Sequence, residues 1–450
     1  MEQHANRLRH RPANRESIPD VTAEDMTKVS QSHRQTKVVV IGAGIVGLMT
    51  ALEIQRSGRN VVVIEPGDPG GRQAASYGNG AWIHPGGIMP VSVPGLWRQV
   101  LGYLTNRSGP FVIRWAHFPH LVPWLVRFIW AGRNWKVVEE CARVRFELCR
   151  HSPRDHRRIA AEAGVGHLIE QKGLLYIYPD KATFLSNSYE WDMRRRLGLA
   201  ITEFEGDALR QLEPNLSDRY QYGVRVDDGA HCTDLKAYCG AIAGLLRQRG
   251  AKFVRSRASG FRMAGNRLTA VVTDDGDIEC SEAVLTAGIG SGKLAAAGGD
   301  RVPLESERGY HVVFADGAKK INHPLMPSDG KMAITPTLQG LRVAGQVELA
   351  HLDAAPDWRR ADVLHRFAAT VFRQSFQCDK LIDQWMGHRP STPDGLPIIG
   401  KARSCTGLYY GFGHGHSGLT QAPATARLLA AIVAGQKPEW DPSAMSVGRF

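Results

Sequence analysis

Residues 37–65 read KVVVIGAGIVGLMTALEIQRSGRNVVVIE, and the fold is decided in this stretch. Val38 to Ile41 is a short apolar run suited to a buried parallel strand. Gly42, Gly44 and Gly47 follow in the spacing G-x-G-x-x-G. Gly42 permits a tight turn, Gly44 lets a pyrophosphate approach the main chain, and Gly47 lets the next helix pack closely, helped by Ala51. Ile45 and Val46 open that helix, so Gly42, Gly44, Ile45, Val46 and Gly47 form the expected phosphate cradle at a helix N-terminus. Gly58 ends the helix, Asn60 to Ile64 forms a second strand, and Glu65 closes it. A carboxylate there accepts hydrogen bonds from ribose hydroxyls and disfavours a 2′-phosphate. Strand, glycines, helix, strand and acid stand in the order of a Rossmann-like dinucleotide-binding unit.

At the other end of the chain stand HRPSTPDGLPIIG, residues 388–400, and GLYYGFGHGHSGLTQAP, residues 407–423. The apolar GLYYGF reads as a strand and Leu419 to Val433 as a helix. The glycine turn between them directs main-chain N–H groups and a helix dipole at one point. The intervening chain is interrupted. PGDPGGRQAASYGNGAWIHPGG after Glu65 lacks any period and is long enough to wrap a cofactor. Residues 96–158 read as helices broken near Pro110, Pro119, Pro123 and Pro153. Residues 173–180 are a strand, 188–198 and 209–216 helices. Residues 232–254 are a helix capped by Thr233 and then a strand. Residues 267–290 read as a β-meander whose last strand returns to the dinucleotide-binding sheet. No internal repeat is visible.

The chain of 450 residues suggests two domains. Its 43% hydrophobic and 22% charged residues are globular values. The net charge of +12 comes without a nucleic-acid motif and is spread widely, so anionic substrates or an anionic membrane surface are expected and nucleic acid is not. Seven cysteines show neither C-x-x-C nor metal spacing, and read as reduced cytosolic thiols. No metal site is expected. No run of 18 apolar residues is present, so no transmembrane helix is expected. Residues 1–36 are polar, aperiodic and carry acids unsuited to a transit peptide; they read as a tail, with Met26 a second candidate start.

On these segments the chain resembles the D-amino acid oxidase and dehydrogenase family of FAD enzymes, closest in pattern to bacterial D-amino acid dehydrogenases, hydroxyproline-type members included. The resemblance runs from Lys37 to Gly435. It rests on the fingerprint, ASYGNG at 75–80, ERGYHVVF at 307–314, HRPSTPDGLPIIG and GHGHSGLTQAP. It implies an α/β (α+β overall) fold: a Rossmann-like FAD domain built from residues 37–95, 225–300 and 385–450, and a substrate domain with a mixed β-sheet from 96–224 and 301–384.

It also implies chemistry. Hydride passes from the substrate α-carbon to flavin N5, and water hydrolyses the resulting imine; a cyclic imine opens or rearranges. Arg389, in R-P-x-T-x-D-G-x-P, is expected to pair with the substrate carboxylate, with an ion pair to Asp394 or a neighbour as the competing reading. Asp394 is expected to hold the following turn. Tyr310 is expected to place a phenol at the substrate or to be a core aromatic. Arg308 shares its face, and His311 points away. His414 and His416 lie in the glycine turn, and His416 is expected at the flavin or substrate. Ser76, Gly413, Gly415, Gly418, Leu419 and Thr420 complete the expected FAD contacts. No cysteine stands in RPSTPDGLPIIG, and His84 matches histidine-linked members poorly, so FAD is expected to be non-covalent.

The electron acceptor is a quinone or oxygen, and sequence does not separate a dehydrogenase from a glycine- or sarcosine-type oxidase. A flavoprotein without turnover is disfavoured by Arg389 and the glycine turn. Residues 96–136 either pack on the substrate domain or touch a membrane surface through Trp124, Phe128, Trp130 and Trp135 beside Arg127, Arg133 and Lys136. The expected location is cytoplasmic, with peripheral contact at the inner membrane.

Overall fold

A computed structural model describes residues 37–96, 109, 111–373 and 380–450. The expected tail, residues 1–36, and residues 97–108 of the aromatic stretch lie outside this set. The valine run Lys37–Ile41 is the central strand of a six-stranded sheet. The order is Lys252–Val254, Asn60–Ile64, Lys37–Ile41, Glu282–Leu285, Leu408–Phe412 and Ile398–Lys401. The first five are parallel, and the last returns antiparallel. Alternation divides the central strand between two cores. Val38 and Val40 face the helices Ile45–Arg56, Leu235–Gln248 and Gly418–Val433, while Val39 and Ile41 face the three-stranded meander spanning residues 258–279. The meander's continuation, Glu282–Leu285, pairs with Lys37–Ile41, as expected from its apolar run.

A second, mixed sheet runs Leu381–Ser391, Glu305–Phe314, Gly340–Leu349, Ala333–Thr337, Leu325–Pro327, Leu174–Tyr178, Tyr222–Val226 and Ile201–Glu205, with Phe111–Ile113 beside Gly340–Leu349. Its back is closed by the helix Arg359–Val371, whose Leu364 and Ala368 bury against Tyr310, Val312, Phe314 and Val343. The front therefore carries the alternate residues. Trp385 and Ala344 both lie opposite His311, and Ala333 opposite Ala344, while Tyr176 lies beside Met326. The stretch 77–80 is strung across this front. Arg342 Nη1 donates to the carbonyls of Tyr77 (3.0 Å) and Asn79 (3.1 Å), and Thr335 Oγ1 to that of Gly80 (2.7 Å). The front thus faces the dinucleotide-binding domain.

The domain limits need correction. Strand pairing keeps Leu381–Ser391 in the second sheet, so the last crossing follows Ser391 rather than residue 385. Tyr222–Val226 also belongs to the second sheet. The helices Trp135–Cys149 and Ser152–Glu162 bury Leu148, Cys149, Ile159 and Ala160 in the dinucleotide-side core, while Ala142 packs against Met193 of the helix Ser188–Arg196. Pro119 and Pro153 open helices, where no N–H is needed, and Phe118–Ala131 continues through Pro123. Asp234, not Thr233, caps Leu235–Gln248, its side chain accepting from Ala237 N at 2.9 Å.

Candidate active site

The first glycine turn is shaped by contacts that leave one face open. Gly42 has φ of +105°, and a Cβ there would lie 2.6 Å from the Thr286 carbonyl oxygen. A Cβ on Gly47 would lie 2.0 Å from the Gly42 carbonyl oxygen, so only glycine lets helix and turn meet. At Gly44, by contrast, a Cβ would meet only Ser76 Oγ, at 3.4 Å. The helix Ile45–Arg56 has no side-chain cap at Gly44 and no acid in its first turn; Ser76 Oγ accepts from Ile45 N at 3.0 Å. No acid of its own first turn competes for its positive end. Glu65 Oε2 accepts from Ala43 N at 2.7 Å, which fixes the carboxylate beside the cradle. These residues fit an FAD pyrophosphate and ribose: Gly44, Ile45, Val46 and Gly47 would hold the one, Glu65 the other.

The second glycine turn sits at the end of the neighbouring strand Leu408–Phe412. Gly413 and Gly415 have φ of +85° and +54°, and the helix Gly418–Val433 again starts without a side-chain cap or an acid. Here a buried cation stands behind the turn. Arg145 Nη2 donates to Ser417 Oγ (2.8 Å) and the Gly87 carbonyl (3.1 Å), and Nη1 to the Gly395 carbonyl (2.5 Å). His414 Nε2 lies 3.0 Å from Thr425 Oγ1. Burial, reinforced by Arg145, takes the His414 imidazole down to about 3. His416 is exposed and lines a cavity together with Arg145, Glu307, Ser391 and His414. Its pKa also falls to about 3, through burial and then the charges of Arg145 and Arg389. Two expected cofactor contacts have other partners. Thr420 Oγ1 donates to the Trp82 carbonyl (3.2 Å) and accepts from His84 N (3.1 Å). Leu419 is buried in the core, its carbonyl 2.9 Å from His156 Nε2.

Arg389 rises from the edge strand onto the front of the second sheet. Its guanidinium crosses Gly309, where a Cβ would lie 2.2 Å from Nη2. It donates from Nη1 to the Gln346 carbonyl (2.7 Å) and from Nη2 to the Gly345 carbonyl (3.2 Å). Those carbonyls belong to an irregularity in the pairing of Gly340–Leu349 with Glu305–Phe314, where Gln346 adopts φ of +60°. Glu307 stands directly opposite Arg389 in register. Burial raises the Glu307 carboxyl pKa, opposed by Arg389. Of the expected competitors, Asp394 is engaged elsewhere: it pairs with Arg449 at 2.7 Å and accepts from Leu396 N at 3.1 Å, holding the turn after Thr392, while the neighbour that acts electrostatically on Arg389 is Glu307.

Tyr310 lies apart from this group. It shares a face with Arg308, as strand alternation requires, but that face is the back. The phenol donates to Glu348 Oε2 (2.6 Å) and accepts from Asp357 N (2.9 Å). Arg308 Nη1 lies 3.2 Å from the same carboxylate oxygen. Tyr310 is therefore a buried member of a polar cluster behind the sheet, because the helix Arg359–Val371 lands on its side. His311 points to the front, 3.4 Å from the Gly78 carbonyl. The structure thus brings Arg389 and His416 together and leaves Tyr310 out.

The aromatic helix is sorted differently from the expected membrane set. Trp124 and Phe128 are buried and stack at 4.9 Å, with Trp124 Nε1 donating to the Ser391 carbonyl (3.3 Å). Trp115, Val122, Val126 and Trp130 are exposed instead, with Arg133 over the Trp130 ring at 4.8 Å. Among the described residues no helix is long and apolar enough to cross a membrane.

Residues 37–432 match the family of FAD dependent oxidoreductases designated DAO, and the chain belongs to it. A D-amino-acid oxidase of Bradyrhizobium diazoefficiens is 42% identical over 92% of this chain and 98% of its own length. A D-amino acid dehydrogenase of Vibrio vulnificus is 28% identical over 90% and 97%. Among solved structures, glycine oxidase from Geobacillus kaustophilus superposes with a TM-score of 0.70 at 17% identity, over 92% of this chain and 99% of that one. L-proline dehydrogenase from P. horikoshii gives 0.71 at 18%, over 92% and 98%. The protein is accordingly an FAD-dependent oxidoreductase.

Three residues at the site had no signal as catalytic or binding groups in the sequence. Arg145 lies in an ordinary amphipathic helix, and Glu307 opens ERGYHVVF, where Arg308, Tyr310 and His311 draw the attention. Gln346 shows nothing that marks a positive φ.

Proposed function

We propose that the protein oxidises the Cα–N bond of a D-amino acid. The α-carbon loses hydride, the nitrogen loses a proton, and the imine adds water to give a keto acid and ammonia. Bound FAD supplies the hydride acceptor. The observation that carries this reading is Arg389: a guanidinium on the front of the sheet, fixed by two main-chain carbonyls, whose remaining N–H groups would take an α-carboxylate. His416 adds a neutral ring between the two domains. Arg145 and the uncapped helix Gly418–Val433 provide positive potential on the opposite wall. The D configuration is supported by the names of the two relatives above. Oxygen as the electron acceptor is supported by the 42% identity to an oxidase.

A second reading of the acceptor is favoured by one observation, the exposed Trp115, Val122, Val126 and Trp130 beside Arg127 and Arg133. Such a face suits an anionic membrane surface, where a quinone is the acceptor. Anaerobic flavin bleaching with D- and L-amino acids, D-proline, hydroxyprolines, sarcosine and glycine tests both. Bleaching by D-amino acids is expected, and bleaching by L-amino acids or sarcosine alone overturns the proposal. Rapid recovery of colour on admitting air marks an oxidase. Recovery only with a quinone, together with sedimentation on anionic liposomes that Trp115→Ser/Trp130→Ser abolishes, marks the membrane-linked enzyme.

A further inference from the structure

We propose that Glu307 receives the α-ammonium group of the substrate: its carboxylate accepts hydrogen bonds from the nitrogen and so selects ligands that carry a cationic amine beside the carboxylate. The inference rests on the reading of the protein as an enzyme that oxidises amino acids, and on the assignment of Arg389 to the α-carboxylate.

Glu307 is a buried acid left without a donor. Strand alternation in Glu305–Phe314 puts it on the front of the sheet with Gly309 and His311. Among the described residues no N–H donates to its carboxylate and no cation lies within ion-pair distance. The groups that act on it are Arg389, Ser391 and Glu305. Ser391 is close enough to favour the charged form, yet Ser391 Oγ meets no partner in hydrogen-bond geometry. A buried carboxylate in that state is costly until a donor completes it. Both nearby guanidiniums are committed elsewhere. Arg389 gives Nη1 and Nη2 to the carbonyls of Gln346 and Gly345, and Arg145 donates to Gly395, Gly87 and Ser417. Neither closes on Glu307, so the completing charge comes from outside the chain.

The carboxylate has a place to receive it. Glu307 lines a cavity with Ser391, Thr392, His414, His416 and Arg145. The cavity, about 20 Å³, admits one group of water or ammonium size. Arg389 stands beside it, since its charge acts on both Glu307 and His416. Arg389 and Glu307 are directly opposite in register, on antiparallel strands whose facing Cα atoms are about 4.5–5.5 Å apart. An α-amino acid carries its negative and positive groups on one carbon. A guanidinium and a carboxylate from facing residues match it in sign and in spacing. The other titratable groups around Glu307 do not replace the ammonium. The His414 and His416 rings, with values of about 3, are neutral, and Glu305 shares the sign of Glu307 and lies 3.2 Å from His117.

Burial raises the Glu307 pKa above its ordinary 4.5, opposed by Arg389 and Ser391. The ionised form is the one that binds an ammonium. kcat/KM for amino acids should therefore fall as pH drops through that raised value, with the acid limb above pH 4.5.

The test uses holoenzyme of wild type, Glu307→Gln, Glu307→Asp and Arg389→Leu, with FAD content and thermal midpoint measured for each. D-Alanine, and every other D-amino acid that bleaches the flavin, is compared with propionate, which keeps the carboxylate and lacks the amine. Propionate binding is read as inhibition and as a perturbation of the flavin spectrum. Glu307→Gln should lower kcat/KM for D-amino acids at least about tenfold at neutral pH, remove the acid limb, and leave the Kd of propionate within about twofold. Glu307→Asp keeps the charge and should recover part of the loss together with the limb. An equal effect on both ligands, or an unchanged kcat/KM and limb in Glu307→Gln, overturns the inference. So does loss of FAD without a change in selectivity, which places the carboxylate on the cofactor. Arg389→Leu should weaken both ligands. If it spares both while Glu307→Gln stays selective, the carboxylate assignment falls alone. If it impairs both while Glu307→Gln is silent, the Glu307 assignment falls alone. If no amino acid of either hand bleaches the flavin, the oxidation reading falls, and spectral titration with D-alanine against propionate still decides Glu307.

Discussion

Around Gly42–Gly47 the binding surface is main chain, and across the second sheet it is side chain. In the first region nothing projects: the glycines remove atoms so that a ligand meets N–H groups directly. In the second, Arg389 projects from the front of the sheet and is aimed by neighbours behind it. Gln346 and Gly345 lend their carbonyls to its guanidinium. A main-chain surface tolerates almost no substitution at its glycines. A side-chain surface degrades by steps, because a lost group leaves its supports in place.

The largest effects should break the first region in two distinguishable ways. In Gly47→Ala the new methyl meets the Gly42 carbonyl oxygen at 2.0 Å, main chain against which nothing can yield. Loss of soluble, folded protein is expected. In Gly44→Ala the methyl meets only Ser76 Oγ at 3.4 Å, so the flavin-free fold should lose about 1 kcal/mol or less. FAD retention should nevertheless collapse, since that face is where the pyrophosphate approaches. Gel filtration with flavin absorbance, and thermal melts of the flavin-free protein, check the pair. Equal FAD retention in Gly44→Ala and wild type would falsify the cradle assignment.

Next in size is Arg389. Arg389→Leu should keep FAD and lose at least about tenfold in kcat/KM for amino acids, the worth of one charge-assisted contact. Arg389→Lys should recover only part, lacking the planar fork. Gln346→Gly keeps the carbonyl in a conformation glycine adopts freely, so activity should survive; Gln346→Val should raise KM by displacing it. Steady-state kinetics with matched FAD content decide. A uniform loss for an amine without a carboxylate, if one reacts, assigns Arg389 to the fold.

How much of this was legible in the sequence follows the same division. Gly42, Gly44 and Gly47 could be read because each is demanded by a local steric contact, and spacing along the chain is local information. The return of Glu282–Leu285 to Lys37–Ile41 was legible as a lone apolar run after a meander. Arg389 could be located, but not its setting, since its partners stand 43 and 44 residues away at a pairing irregularity that no residue announces. Alternation placed Arg308 with Tyr310 and against His311. Which of those faces meets the cavity depends on where Arg359–Val371 lands, a tertiary choice. The aromatic helix stayed open for the same reason: residue types gave a list of aromatics, and packing chose Trp124 and Phe128 for the interior and Trp130 for the surface.

A smaller effect concerns the second glycine turn, which differs from the first in its buried cation and two histidines. His414 and His416 have native pKa values near 3, below the ordinary 6.5. A depressed value means that stability is fully present above about pH 6.5 and is lost as pH falls towards 3, because the unfolded chain takes up protons that the native one refuses. His414, which is buried, adds about 1.4 kcal/mol per pH unit to the slope in that window. His414→Gln should remove one such increment in denaturant titrations of the flavin-free protein between pH 6 and 4. An unchanged slope means that the ring protonates in place.

The smallest change in catalysis should come from Tyr310. Its hydroxyl donates to Glu348 and accepts from Asp357 N, both behind the sheet, and burial raises its pKa. Tyr310→Phe therefore removes two internal hydrogen bonds and leaves Glu348 with Arg114 at 2.6 Å and Arg308 at 3.2 Å. The cost should appear as roughly 1–3 kcal/mol of stability, the range for leaving buried partners unmet. kcat/KM should stay within about threefold and FAD content should be unchanged, because no atom of Tyr310 reaches the front of the sheet. Urea titration and steady-state kinetics on one preparation measure both. A tenfold fall in kcat/KM with full stability returns the phenol to the substrate. It also means that the sheet turns at Gln346 when substrate binds, the one place in these strands where the main chain departs from regular pairing beside Tyr310.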